Sequence, residues 1–278
     1  MKKIIVYFLF LSTFQSLVGQ NVKVMTYNIR NSNANDGVNK WDKRKQALAN
    51  LILKVNPDVL GTQEVLIKQL KDMKKLLPEY DVQGMGRNNG KHAGEHSTIF
   101  YKRSKYDLIT TGNFWLSETP GIAGSKSWDA ALTRICTWVK LKDKQTGEDF
   151  FVFNTHFDHK GNVARQKSAA LLCHTIDSLC GYLPVILTGD FNFHPDNAGY
   201  AIITGSDNRV RLSDSYSKDS PNYTDCGFEV KNTNCSRIDY IFYNKHFAAG
   251  NYTLHTDNNG TYYPSDHCTI SVELTARK

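Results

Sequence analysis

No two cysteines stand in Cys-x-x-Cys spacing, and no His-Glu-x-x-His occurs anywhere in the 278 residues. The first absence argues against a thiolate zinc site, the second against a helix-borne zinc peptidase centre. No Pro/Gly/Ser-rich stretch separates two halves, and no internal repeat or low-complexity segment is present, so the chain reads as one domain without a linker. Long apolar runs are also missing. The longest near the start, Ile4 to Leu11, falls short of the ~20 residues a membrane helix needs and is soon followed by Ser12, Thr13 and Gln15.

That same segment has the grammar of a secretory leader: Lys2 and Lys3, the apolar run, then small residues from Ser16 to Gly19. The expectation is a signal peptide over residues 1–20 and one mature domain over residues 21–278, secreted or periplasmic, with no stable membrane anchor. The competing reading is an uncleaved N-terminal anchor. No Cys follows the small residues, which argues against a lipoprotein. Loss of Lys2 and Lys3 lowers the formal net charge from +7 to +5. This modest excess suits phosphate esters or nucleic acid, and a solvated basic surface explains it equally well.

Hydrophobic residues make up 40% and charged residues 22% of the chain, the composition of a folded globular protein. An exported chain with six cysteines permits disulfides. A loop-closing Cys226–Cys235 bridge is the favoured pairing, while Cys136, Cys173, Cys180 and Cys268 read as buried thiols.

Along the chain, strands are expected at Val22–Tyr27, Asp58–Gly61, Ser97–Tyr101, Thr133–Leu141, Phe150–Thr155, Pro184–Thr188, Ile238–Tyr243 and Cys268–Leu274. Helices are expected at Trp41–Val55, from after Glu64 through Leu77, and at Val163–Leu179. An irregular segment carrying Trp115 and Trp128 fills the space between Tyr101 and Thr133; such tryptophans pack a loop onto the core more often than they stack on a ligand. Strands outnumber helices and do not alternate with them, which favours two mainly antiparallel sheets with helices outside over a Rossmann or barrel layout.

Polar residues recur at the ends of these strands: Asn28, Glu64, His156, Asp190 with Asn192, Asp239, and Asp266 with His267. One of them alone would be a turn former or a helix cap. Together they form a set that packed sheets can gather at one edge. Carboxylates and carboxamides are hard oxygen ligands for Mg²⁺, Mn²⁺ or Ca²⁺, and histidines beside them supply a base and phosphate donors for hydrolysis. His156 and His159, in THFDH, also have spacing open to a metal pair.

The ordered motifs TYNIR, GTQE, NTHFDH, TGDFN, RIDYIF and SDH resemble the endonuclease/exonuclease/phosphatase superfamily, the DNase I-like metal-dependent phosphoesterases, over residues 26–267. TYNIRNSNANDGVNKW further resembles a secreted or periplasmic bacterial branch. The resemblance implies a four-layered α/β sandwich with two mainly antiparallel sheets packed face to face, and one or two Mg²⁺ or Mn²⁺ ions held by Glu64, Asn28 and Asp266. It implies His267 as general base oriented by Asp239, Asp190 and Asn192 holding the attacking water and contacting phosphate, and His156 as a phosphate donor. Arg134 would grip phosphate bidentately. Glu95 would orient His156, Tyr101 would touch phosphate, and His159 and Arg165 would line the cleft.

The function so implied is a phosphoesterase with a nucleic acid or nucleotide slightly favoured as substrate. A sugar phosphate, inositol phosphate or phospholipid is the alternative, and no protein partner is expected. Two readings of other classes are a non-catalytic binding module, disfavoured because Glu64, Asp190, Asn192, Asp239 and His267 are all present, and a zinc peptidase.

Overall fold

The computed structural model describes residues 21–277, so the expected leader lies outside the described residues. Strand β1 (Asn21–Asn28) leads through a short 3-10 turn to helix α1 (Trp41–Val55), then β2 (Val59–Val65), α2 (Ile67–Leu76), β3 (Tyr80–Gln83), β4 (His96–Lys102), β5 (Tyr106–Trp115) and β6 (Ile135–Asp143). There follow β7 (Asp149–His156), α3 (Asn162–Cys180), β8 (Val185–Asp190), α4 (Ala198–Thr204), β9 (Leu212–Asp214), β10 (Asp239–Asn244), β11 (Phe247–Ala249), β12 (Thr253–His255) and β13 (Thr269–Ala276). No described helix is long and apolar enough to cross a membrane.

One sheet runs β11-β13-β1-β2-β4-β3, with β12 also on β13; the other runs β5-β6-β7-β8-β10-β9. Two pairings, β1 with β2 and β7 with β8, are parallel, each joined by a crossover helix, α1 or α3. The remaining pairings are antiparallel. The sheets pack face to face with helices outside, the expected α/β sandwich, here with mixed sheets whose parallel pairs are central.

The two-residue side-chain period of a strand sorts the core. In β1, Val22 and Val24 face the other sheet while Met25 and Tyr27 face α1. In β7, Phe150 and Val152 point between the sheets, and Phe151 and Phe153 pack toward α3. Ile186 of β8, Ile241 of β10 and Ile99 and Tyr101 of β4 belong to the same inter-sheet layer.

Farther along, the inward positions turn polar. Asn154 donates from Nδ2 to the carbonyls of Thr62 and Thr98 on the opposite sheet, both at 2.9 Å. Its Oδ1 accepts from Gln63 Nε2 at 2.7 Å and from Thr188 Oγ1 at 3.0 Å, and Gln63 also donates to Thr26 Oγ1. All of these side chains are buried. Gly61 makes the close approach possible, because a Cβ there would lie 2.2 Å from Thr188 Oγ1.

Several elements differ from expectation. The segment after Tyr101 contains β5, a ten-residue strand, rather than irregular chain throughout. It lies at a sheet edge, pairs only with β6 and exposes Ile109, Thr110 and Thr111 around a register shift, so its apolar alternation is weak. The strand expected at Asp58–Gly61 continues to Val65 through a bulge. Cys226 and Cys235 are bonded, and the other four cysteines are buried thiols.

Replacing Asn154 by Ala strands two buried carbonyls and removes the acceptor shared by Gln63 and Thr188. Urea unfolding should show a loss of about 2–4 kcal/mol with an unchanged slope, whereas Tyr182→Ala, at a position 77% exposed, should stay within about 0.5 kcal/mol.

Candidate active site

Parallel strands end on the same side, and their antiparallel neighbours begin there. The C-terminal ends of β1, β2, β7 and β8 therefore share an edge with the N-terminal ends of β4, β6, β10 and β13. Asn28, His156, Asp190 and Asp239 occupy inward positions at that edge, in phase with Val24, Val152, Ile186 and Ile241 below them. Registry makes neighbours of His156 and Asp190, and of Asp190 and Asp239. Glu64 would face away on a regular strand, but the β2 bulge turns it, with φ at +62°. Arg30 and Asn192 also have positive φ, at 55° and 51°, so left-handed backbone collects around this edge.

Asp190 is the hub. Its Oδ2 accepts from Asn28 Nδ2 at 2.9 Å and lies 3.4 Å from His156 Nε2 and 3.9 Å from His267 Nε2, while Oδ1 accepts from the Asn192 backbone. Burial, reinforced by the Asp239 charge, pushes its carboxyl up to about 7. His267 turns Nδ1 to Asp239 Oδ2 at 2.8 Å. Burial opposes its protonation, but Asp239 above all, then Asp190 and Asp266, raise it well above its ordinary range. His156 moves the other way: burial, with Arg134 and Arg87 nearby, keeps its ring neutral.

A second group faces this one across Asn28, whose Nδ2 also reaches Glu64 Oε1 at 3.2 Å. Glu64 Oε2 accepts from both the backbone and the side chain of Asn31, at 2.9 and 2.8 Å. Burial works against ionisation of Glu64, yet these hydrogen bonds outweigh it and hold the carboxyl below its usual range. Asp266 meets Arg30 Nη1 at 3.4 Å, and Arg30 also grips Asp36.

A model of the Endonuclease/Exonuclease/phosphatase family matches residues 25–267. The chain belongs to the endonuclease/exonuclease/phosphatase family. A solved family protein from Bacteroides thetaiotaomicron is similar at a TM-score of 0.88 and 41% identity, covering 94% of this chain and 100% of that one. Another structure from the same species, described as a mannosyl-6-phosphatase, has a TM-score of 0.85 and 41% identity over 91% of this chain and 99% of its own. Nocturnin of Drosophila melanogaster is 24% identical over 92% of this chain and 47% of its own length. The chain spans about half the length of several curated relatives it matches.

The endonuclease/exonuclease/phosphatase fold thus gathers Asn28, Glu64, His156, Asp190, Asn192, Asp239, Asp266 and His267 at one edge. Asn192 commits one N–H of its amide to the Phe157 carbonyl at 3.0 Å, leaving its Oδ1 as an acceptor and one N–H as a donor, which suits both the water and the phosphate contact expected of it. The outer positions need correction. Tyr101 is five residues along β4 from His96, roughly 17 Å at strand rise, and is buried in the apolar inter-sheet layer; it does not reach the edge. Glu95 is 3.9 Å from His156 Nδ1, beyond a hydrogen bond, and instead holds Arg87. Arg134 is no free fork: Nε faces Asp158 at 3.4 Å and Nη2 meets His159 Nδ1 at 3.1 Å, which leaves Nη1 as its one nitrogen without a partner among the described residues. His159 is exposed and bonded to Arg134 rather than joined to His156 around a metal. Arg165 donates to the Asp158 carbonyl.

Three contributors escape sequence reasoning. Asn31 clamps Glu64, and its only signal is its place just after TYNIR. Buried Arg87 stands in a loop without periodicity, GMGRNNG. Asp158 organises the loop before β6, accepting from the backbones of Ala131, Leu132, Lys160 and Gly161. Trp115 packs as expected, its Nε1 donating to the Arg87 carbonyl at 2.6 Å, and Trp128 is half-buried.

In metal-free protein, Asp239→Asn removes the main charge favouring the His267 imidazolium. The ring should then release its proton at a lower pH than in the parent, which NMR titration of the imidazole would show; an unmoved His267 pKa would contradict the electrostatic role given to Asp239.

Proposed function

We propose that this chain is an exported, divalent-metal-dependent phosphoesterase that hydrolyses a phosphate ester carried on a sugar. The observation that carries the catalytic part is the Asp190 carboxylate, shared by Asn28, His156 and His267 and backed by Asp239. The donor set fits a metal ion: Glu64, Asp190, Asp239 and Asp266 crowd one edge against Arg30 and His267, and Asp239 Oδ1 is buried without a hydrogen-bond partner among the described residues. Asp190, Asp239 and His267 bring ligand atoms within 4.8 Å of one another, a second possible grouping beside Glu64, Asn28 and Asp266. Of the two, we favour the Glu64 group as the seat. All its donors are oxygens, the preference of Mg²⁺ or Mn²⁺. A bound ion would polarise the phosphoryl oxygen.

The chain's own groups do the rest. Asp190 and His267 are both pushed upward and share a proton as a coupled pair; the member left without it takes the proton of the attacking water. Asp239 fixes the tautomer and orientation of His267. Asn192 offers its acceptor to that water. His156 and Arg134 Nη1 face the phosphate, where negative charge grows during the reaction.

The sugar reading takes the alternative from the sequence over the nucleic-acid substrate it slightly favoured. The arginines around the edge are engaged internally: Arg30 with Asp36 and Asp266, Arg87 with Glu95, Arg134 with Asp158, Arg165 with the Asp158 carbonyl. A polyanion needs a row of free cations along its backbone. The relative described as a mannosyl-6-phosphatase, matched over nearly its whole length, supports the same choice.

The test is phosphate release by the mature protein from hexose phosphates, nucleotides, inositol phosphates, DNA, RNA and sphingomyelin, with Mg²⁺, Mn²⁺ or EDTA. Hexose phosphates should turn over best, EDTA should abolish turnover, and His267→Ala or Asp190→Asn should lower kcat by about 10²–10⁴. Preferential cleavage of RNA or DNA would replace the sugar reading; activity indifferent to EDTA and to both substitutions would overturn the catalytic one.

A further inference from the structure

At the end of the sandwich opposite the catalytic edge, a cavity of about 360 Å³ opens between three separate stretches of chain: Tyr182 before β8, Arg209 and Arg211 just before β9, and Asn244, Lys245 and His246 where β10 ends. Strand β8 starts at Val185 and reaches the catalytic edge at Asp190, while β10 runs back from Asp239 to Asn244. Five residues of strand therefore separate the two places, roughly 17 Å. The cavity falls within the ~300–1,000 Å³ of pockets that take a small molecule.

Its charge is of one sign. Arg209, Arg211 and Lys245 make no ion pair among the described residues. Two carboxylates stand close to this stretch, and neither lines the cavity. Asp177 of α3 spends its oxygens on the Arg209 and Val210 backbones, at 3.1 and 2.7 Å, and Asp207 meets Ser206 Oγ at 3.5 Å. The frame is fixed. Asn244, 3% exposed, accepts from the backbones of Val185 and His246 at 3.2 and 3.3 Å and donates to the Leu183 carbonyl at 2.9 Å. The Arg209 guanidinium lies 5.2 Å from the centre of the Tyr182 ring, which is otherwise open to solvent. Burial, and then the Lys245 charge, lower the proton affinity of the His246 ring, so it offers a hydrogen bond and not a fourth charge. Three cations facing one space repel each other, and a bound anion relieves that repulsion.

We infer that this cavity is a second, non-catalytic binding site, which takes a phosphate or sulfate group, free or carried on a sugar. Guanidinium forks and an ammonium match a tetrahedral oxyanion through charge-assisted hydrogen bonds. The Tyr182 ring, with Arg209 against it, adds a flat apolar surface beside the charges on which a carrier sugar can rest. Such free cations are what the catalytic edge lacks, since Arg30, Arg87 and Arg134 each face a carboxylate there. The inference stands apart from the phosphoesterase reading, because none of its residues belongs to that edge.

The experiment follows the ring signals of Tyr182 and His246 by NMR while the protein is titrated with sodium sulfate or glucose 6-sulfate, neither of which is a phosphate ester. Sodium chloride at matched ionic strength is the control. Both rings should shift and saturate with sulfate and stay put with chloride. The double variant Arg211→Ala, Lys245→Ala changes two exposed positions; it should bind at least about 10-fold more weakly, with circular dichroism and hexose phosphate turnover unchanged. Tighter binding of glucose 6-sulfate than of inorganic sulfate supports the site with a sugar-borne group as its ligand, and the reverse order supports it with the free ion. Shifts that chloride reproduces, that fail to saturate, or that survive the double substitution would overturn it. A parent that hydrolyses no phosphate ester would remove the catalytic reading and leave this binding result standing.

Discussion

The sandwich depends on one buried amide. Asn154 reaches across from β7 to the carbonyls of Thr62 and Thr98, and its oxygen receives Gln63 and Thr188. Each such bond contributes only about 1 kcal/mol net, but each fixes a relative position that hydrophobic contact alone leaves free. Val, Ile and Leu side chains tolerate sliding between two sheets; an amide meeting four partners does not. Gly61, with no side chain, lets the sheets come close enough for those bonds. The inter-sheet space is therefore graded: aliphatic residues at one end, a saturated polar layer in the middle, titratable groups at the mouth.

That gradient explains how the mouth holds so much unfavourable local structure. Glu64, Asp190, Asp239 and Asp266 crowd one edge, and Asp190 is pushed toward neutrality by burial and by Asp239. Left-handed backbone at Arg30, Glu64 and Asn192 adds strain of order 1–3 kcal/mol at each. Neither persists unless the surroundings impose it. The polar layer lies one side-chain step below, with Gln63 and Asn154 adjoining the strand ends that carry Glu64 and His156, so the strained residues have little freedom to relax.

The strand-end residues were legible in the sequence because two rules act together. Period-two alternation tells which residues share a face, and polar residues closing apolar runs mark the ends; Asn28, His156, Asp190 and Asp239 satisfy both. Tyr101 satisfies the face rule as well and is still a core residue, because level along the strand depends on how β4 registers against β2, which a single sequence does not reveal. Glu64 stands at the edge only through a bulge that no pattern announces. The edge strand β5 hides because half its side chains meet water. Arg87, Asn31 and Asp158 act through loop geometry, and a loop carries no period to read. The order of the motifs, and not any one of them, supplied the family.

The same division separates chemistry from selectivity. Relatives as distant as nocturnin, at 24% identity, share this family, and the groups proposed here to attack the ester sit on strands fixed by the polar layer. The loops around that edge are clipped down individually. Trp115 holds the Arg87 hairpin, and Asp158 gathers four backbone N–H groups around the approach to Arg134. Burial works against ionisation of the Asp158 carboxyl, but its backbone hydrogen bonds outweigh it and hold the group well below the usual carboxylate range. An ionised Asp158 therefore stays beside Arg134 and opposes its charge. Among the described residues the one nitrogen of Arg134 without a partner is Nη1, an NH2 group, so the loop that Asp158 ties down fixes both the direction in which Arg134 can donate and how little net charge it brings.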